Sequence, residues 1–342
     1  MNSPKNLGSG GTLYFKGERD NLSGEESAYF KVGIVRGQKE ATDRDAALRT
    51  GNPRTITPIF ELESPFVQEL ETRLHNQFAF ARVSSGEWFS KDLVPVESVI
   101  DQAGLLNTQL IEYQEALTEL PALKKEPLGK EALKASADGL KLGAERAETS
   151  SQLKLLQAMR RQIEKMLRDC AEKDPQVFQW AFKASSTREK RSLSATEVKK
   201  RYPELYEQFR SVVTISMRSK FLDPRETPKT SDLASKFDVP SDAQIEEMSS
   251  DPLALHQTFL KIWAAEKALS WDIWILEAKL FWMSRDYRGI DGVLEWSEHS
   301  SLGFDKKKFE EIHPDLAEEC TVVTAAQESF QPAEWASYTP QP

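Results

Sequence analysis

The chain has 342 residues, 39% of them apolar and 29% charged, with a net charge of -9. That balance excludes a protein that coats nucleic acid by bulk charge, so any nucleic-acid contact must come from local basic patches or a metal ion. Its two cysteines, Cys170 and Cys320, stand far apart without CxxC spacing, which excludes an all-cysteine zinc site and fits a reducing, cytoplasmic setting.

The first eleven residues, MNSPKNLGSGG, read as a polar tail without the apolar core of a signal peptide. Thr12–Lys16 and Tyr29–Val35 read as strands, rich in β-branched and aromatic residues, with an acidic loop over Gly17–Ser27 between them. Thr42 starts a short helix with Asp45 three residues on. Gly51 and Pro53 end it. Ile56–Leu62 reads as a third strand. Ser64 can then cap a second helix with Pro65 at its first position and Val67, Leu70, Leu74 and Phe78 as its apolar stripe. The order β-β-α-β-α defines a small α/β unit of about ninety residues, placed at 1–95.

From Pro95 the pattern turns helical, and residues 96–342 read as a mainly α-helical region. Residues 97–120 and 128–172 are helix-rich, and Leu153, Leu156, Met159, Ile163 and Met166 keep a helical spacing that suits one arm of a helical hairpin. Pro224, Pro228 and Pro240 mark a polar break. A long helix is predicted after it, carrying Trp263, Trp271, Trp274 and Trp282 as a core stripe or a platform for stacking bases. Its apolar stretch, Ile262–Met283, contains Glu266, Lys267, Asp272, Glu277 and Lys279, so it reads as a buried helix and not a membrane span. A weak repeat relates Trp180 and the following Arg201–Val213 to Trp296 and the following Ile312–Val323. It is either a duplicated helix-turn-helix-like unit or two unrelated helices. No GxGxxG or GxxxxGK[ST] phosphate loop is present.

Strand parity selects the chemistry. Leu13 and Phe15 point one way and Thr12, Tyr14 and Lys16 the other; Phe30, Val32 and Ile34 oppose Tyr29, Lys31 and Gly33. If the apolar set packs on the helices, Tyr14 and Lys31 share the opposite, open face. A tyrosine beside a lysine offers a proton acceptor whose pKa the cation lowers. Each residue also has a plain reading: a surface tyrosine, a solvated lysine, an Arg44 paired with Glu40 or Asp45, a Glu71–His75 pair on one helix face. His75 reads first as a satisfied structural histidine, and Glu87-Trp88-Phe89 as core-sealing with Glu87 open. Arg36, Arg49 and Arg54 either contact phosphates or solvate the surface.

Four pieces together resemble the GIY-YIG nuclease superfamily, in its phage T5 Orf172-like and Mug113-like branch: the Lys31-Val32-Gly33 strand, Arg44 on a helix, Glu71 to His75, and Glu87-Trp88-Phe89. The resemblance covers about residues 12–93. Thr12-Leu13-Tyr14 stands where the first motif would be, so the resemblance implies Tyr14 as general base, with Tyr29 as its alternate. Lys31 stands in place of the second motif's tyrosine, as in some restriction enzymes of the superfamily, and Gly33 matches its glycine. Arg44 matches the arginine that steadies the scissile phosphate. Glu71 matches the glutamate that binds one divalent ion, Mg²⁺ or Mn²⁺. The superfamily's late asparagine has no counterpart. The implied function is a metal-dependent endonuclease cutting DNA, in a phage or anti-phage defence setting, whose helical region holds the target or a protein partner. The alternative is a non-catalytic DNA-binding or protein-interaction module.

Overall fold

The computed structural model describes residues 10–37, 54–83, 86–222, 233, 236–237 and 239–336. It is mixed α/β, 51% helix and 26% strand, with a sheet at the N-terminal end and helices dominating the rest. The short helix expected from Thr42, with Arg44 and Arg49, lies outside the described residues.

Strands β1 (Gly11–Asp20) and β2 (Glu26–Arg36) form one long antiparallel hairpin, pairing Tyr14 with Gly33 and Lys16 with Lys31. Most of the segment expected as an acidic loop is therefore strand. Asp20 closes the turn early: its Oδ1 accepts the Leu22 and Ser23 amides at 2.9 and 3.0 Å, and Gly24 takes φ 73°. Only glycine adopts such a φ without penalty. These amide bonds hold the Asp20 carboxyl below its ordinary value, and Arg19 faces Glu26 at 3.7 Å across the ladder.

β3 (Arg54–Ser64) runs antiparallel to β1 on its other side and is the edge strand, in the order β3-β1-β2-β5-β4. Pro58 is tolerated there because an edge strand needs no second ladder bond, and the register shifts where it meets Lys16. Helix α1 (Val67–Gln77) follows. Ser64 does not cap it; it ends β3, and its Oγ takes the Phe66 amide at 3.1 Å, which delays the helix start to Val67. Val67, Leu70 and Leu74 pack on Leu13, Phe15, Phe30 and Val32, all fully buried. After a 3₁₀ turn (Ala79–Ala81), the short strands β4 (Arg82–Val83) and β5 (Trp88–Ser90) extend the sheet beyond β2. Phe89 seals the core, its ring stacked on Phe30 at 5.5 Å.

The same core continues past Pro95. Val99, Leu106 and Leu110 of α2 (Val96–Glu112) belong to it, as do Leu117 and Leu120 of α3 (Gln114–Leu123). So do Ile275 and Phe281, far along the chain. Helix α4 (Ala137–Lys173) is one arm of a long hairpin, and α9 (Pro252–Met283) is the other. Arg146–Glu277 and Arg160–Glu266 ion pairs, at 3.1 and 2.7 Å, fix their antiparallel register. The tryptophans of α9 lie against the two cores they border, with Trp271 Nε1 donating to Gln109 at 3.0 Å. Among the described residues no helix is long and apolar enough to cross a membrane.

Between the two arms lie α5 (Gln176–Ala181) and strands β6 (Phe182–Ser186) and β7 (Lys190–Leu193). Next come α6 (Ala195–Arg201), α7 (Pro203–Gln208), β8 (Val212–Phe221) and α8 (Asp242–Glu247). After α9 come β9 (Leu294–Gly303), α10 (Lys306–Ile312), α11 (Pro314–Glu319), β10 (Thr321–Thr324) and β11 (Glu328–Pro332).

Within this stretch β7-α6-α7-β8 and β9-α10-α11-β10 are two copies of one unit. The N-cap residues Ser194 and Asp305 (305 - 194 = 111) and the prolines Pro203 and Pro314 (314 - 203 = 111) keep the same offset. The residues before the prolines share one backbone shape, φ -133° and ψ 62° at Tyr202, φ -127° and ψ 61° at His313. The strands exchange: β7 pairs with β10, and β8 with β9. The bonds Ser194 N to Cys320 O (3.1 Å) and Asp305 N to Phe209 O (2.8 Å) are equivalent under this two-fold relation. Trp180 and Trp296 are not equivalent under it: Trp180 lies in α5, before the first copy, and the offset of 111 pairs Trp296 of β9 with Ser185 (296 - 111 = 185). Phe209 sits at the junction against Phe309 and His313, with ring centroids 5.2 and 5.5 Å away. Phe209→Ala is expected to cost about 3–5 kcal/mol, as removal of a buried phenylalanine does. Urea unfolding measures it, and a change under about 1 kcal/mol would mean that the two copies do not pack through this ring.

Candidate active site at the open edge of β2

β5 pairs with β2 only over Tyr29–Lys31, and Glu87 O still takes the Val32 amide at 3.0 Å. Beyond that point the edge of β2 is met by a polar stripe of α1, Gln68, Glu71 and His75, beside its apolar face. Arg36 Nη2 donates to Gln68 Oε1 at 3.0 Å, and His75 Nε2 donates to Val32 O at 3.1 Å. The stripe therefore lies along the strand with Glu71 at its centre.

Burial and the neighbouring Glu87 push the Glu71 carboxyl up to about 7, while Lys31, Arg36 and Arg82 pull the other way. Lys31 is ion-paired with Glu87, and its ammonium stands 5.9 Å from the Trp88 ring. Arg82 donates to Gly86 O at 2.7 Å, bracing the β4–β5 turn that carries Glu87. Burial, with Arg82 close by, pushes His75 down to about 4, so it is neutral at pH 7 and ties α1 to β2. Its ring rests on Phe89 with centroids 5.4 Å apart.

Tyr14 lies across Gly33 from the neighbouring strand. A Cβ at Gly33 would stand 2.5 Å from Tyr14 Oη and 2.7 Å from Cζ, so the ring takes the space a side chain would need. The face is not open at Tyr14, which is only 3% exposed and clusters with Val35. Lys16 closes it further: buried itself, it places Nζ 4.8 Å from the Tyr14 ring centroid. Tyr14, Lys16, Lys31 and Gly33 thus share one face of the hairpin by register.

The predicted residues divide accordingly. Lys31, Glu71, His75 and Glu87 come together, with Arg36 at the border; Tyr14 lies apart from them, against Gly33 and Lys16 on the sheet face opposite α1. Tyr29 is exposed, opposite Ser90, two residues toward the turn. Arg54 is elsewhere: it pairs with Glu18 at 3.6 Å at the far end of β3, seven residues and roughly 20 Å of strand from the level of Tyr14. Arg44 and Arg49 lie outside the described residues. Lys16 and Arg82 are additions. Lys16 shares parity with Tyr14, which is the one signal the sequence offers for it. Arg82 has none, since it follows an apolar run and precedes a turn.

Among the described residues no cluster of three or more His, Cys, Asp or Glu side chains could hold a metal ion. A divalent ion that takes one carboxylate and keeps its waters needs fewer protein ligands. The donors present suit such a hard cation: Glu71 and the nearby Glu87 offer carboxylate oxygens, and the raised Glu71 carboxyl marks a place where added positive charge is favourable. Compared with known proteins, the chain matches no family model, no curated protein and no solved structure.

Proposed function

We propose that the sheet and α1, over residues 12–93, form a GIY-YIG-like endonuclease centre that cleaves DNA phosphodiester bonds with the help of Mg²⁺ or Mn²⁺. The observation that carries this reading is the grouping of Glu71 with Lys31 and Glu87 at one strand edge, beside the strand pair on which Tyr14 packs over Gly33. Tyr14 accepts a proton from the attacking water, with the Lys16 and Lys31 ammonium groups on its face favouring the negative oxygen. Glu71 holds the divalent ion, which supplies positive charge for the leaving oxygen. Arg44 steadies the scissile phosphate, and Arg36 at the border adds a sequence-independent phosphate contact.

A second reading, a non-catalytic DNA-binding or protein-interaction module, draws on the burial of Tyr14 and the net charge of -9. One experiment separates them. The full chain is incubated with supercoiled plasmid in Mg²⁺, Mn²⁺ or EDTA, with gel-shift of the same DNA alongside. Nicking in either metal that stops in EDTA supports the nuclease. A shift without cutting under all three conditions supports the binding module.

A further inference from the structure

On the other side of α1 from Glu71, a cleft of about 740 Å³ opens between that helix and α9. Its size falls within the range of sites that take small organic ligands. The α9 wall carries the small side chains Ala264, Ala265 and Ala268 together with Gln257 and Lys261, and Phe80 and Leu93 line the cleft from the sheet unit. Arg73 and Gln77, one turn apart on α1, line it too.

Two of the four polar lining residues, Arg73 and Gln77, hold buried atoms that are unsatisfied. Arg73 is 8% exposed, and its buried Nε and Nη1 find no acceptor; the buried Oε1 of Gln77 finds no donor. Asp272 acts on Arg73 only through space, too weakly to offset burial, which pushes the guanidinium down to about 10. A buried charge without a hydrogen-bonded partner is costly, and proteins keep such groups where something else completes them.

We infer that this cleft binds a small organic anion with an aromatic body and an N–H or O–H donor. Arg73 receives the anionic group in its planar fork. Gln77 Oε1 accepts the hydrogen of the donor. The alanine face and Phe80 enclose the ring. Inorganic phosphate would leave the apolar walls unfilled, and a fatty acid would leave Gln77 unmet. The inference is independent of cleavage, because Arg73 and Gln77 face away from Glu71 and the readout is binding.

The probe is 8-anilinonaphthalene-1-sulfonate, which carries an aromatic body, an anion and an N–H, titrated by fluorescence and calorimetry into the folded full chain. Its uncharged counterpart, N-phenyl-1-naphthylamine, has the same body and N–H. The sulfonate should bind with one-to-one stoichiometry, at least tenfold tighter than the amine. Arg73→Met should weaken the sulfonate at least tenfold and leave the amine unchanged. Ala268→Phe, which fills the cleft and keeps Arg73, should abolish both. Multiple weak sites, equal binding of the two probes, or equal sulfonate affinity in wild type and Arg73→Met would overturn the proposal. If Arg73→Met does not fold, the two-probe comparison on wild type and Ala268→Phe still decides it.

Discussion

Glu71→Gln should lose metal-dependent nicking by roughly a hundredfold to a thousandfold, the usual loss on removing one electrostatic contributor to the transition state, and should at the same time make the protein more stable at pH 8. The two effects have one cause. The folded chain holds the Glu71 proton up to about pH 7, against an ordinary value of 4.5. Folding therefore takes up a proton between those values. Stability from this group is fully present below about pH 4.5, falls as pH rises toward 7, and stays low above it. The difference between 4.5 and about 7 corresponds to roughly 3 kcal/mol. Glutamine keeps the shape and removes the charge, so the gain should appear in urea melts at pH 8 and vanish at pH 4. If Glu71 holds a divalent ion as proposed, the same proton competes with that ion in the wild-type protein. Metal affinity should rise about tenfold per pH unit up to about 7 and level off beyond. Wild-type nicking by Glu71→Gln would remove Glu71 as the metal ligand. A mutant that is inactive but not stabilised at pH 8 would place the burial of its carboxylate in doubt and leave the ligand role standing.

The parts of this site that could be read in the sequence are those fixed by short-range rules. Period-two alternation places Tyr14 and Lys31 on one face, and the α1 stripe of Val67, Leu70 and Leu74 tells which helix face is buried. What escaped depends on distant partners. The outer half of the β1–β2 hairpin looks like an acidic loop because its strands are charged; the Asp20 turn and the pairing of Gly17–Asp20 with the start of β3 make it a ladder. Lys16 looks solvated until the Tyr14 ring is seen beneath it. Arg73 lies on a polar stretch of α1 and reads as surface, and only the arrival of α9, about two hundred residues later, buries it. The two-fold repeat is hidden for another reason. Its caps and prolines persist, but the packed residues differ, Val198 against Phe309 and Phe209 against Cys320, because each copy buries a different volume at the shared junction. Large aromatic residues were therefore poor guides to the register of the repeat, and helix caps were the better ones.

Gly33→Ala should abolish cleavage as completely as Tyr14→Phe, although it adds only a methyl group and touches no charged residue. The added Cβ would stand 2.5 Å from Tyr14 Oη, closer than real contacts allow. Tyr14 is buried against Val35 and under Lys16, so its ring has little room to yield. Either the ring rotates away or the β1–β2 pairing shifts, at an expected cost of about 1–3 kcal/mol in stability. In both cases the hydroxyl leaves the position from which it would accept a proton. Tyr14→Phe removes the hydroxyl and leaves the ring in place. Both variants should keep duplex binding, since the proposed phosphate contacts are those of Arg36 and Arg44, and Tyr29→Phe should cut almost normally because that ring is exposed two residues toward the turn. If the two substitutions act through the same group, the double variant should be no worse than either single one, as for residues that act as a unit. The measurement is single-turnover nicking beside gel-shift for all four proteins. Normal cutting by Tyr14→Phe with a dead Tyr29→Phe would move the base to Tyr29. Normal cutting by Tyr14→Phe with a dead Gly33→Ala would show that the glycine serves only strand packing, and that the Tyr14 hydroxyl does not take the proton.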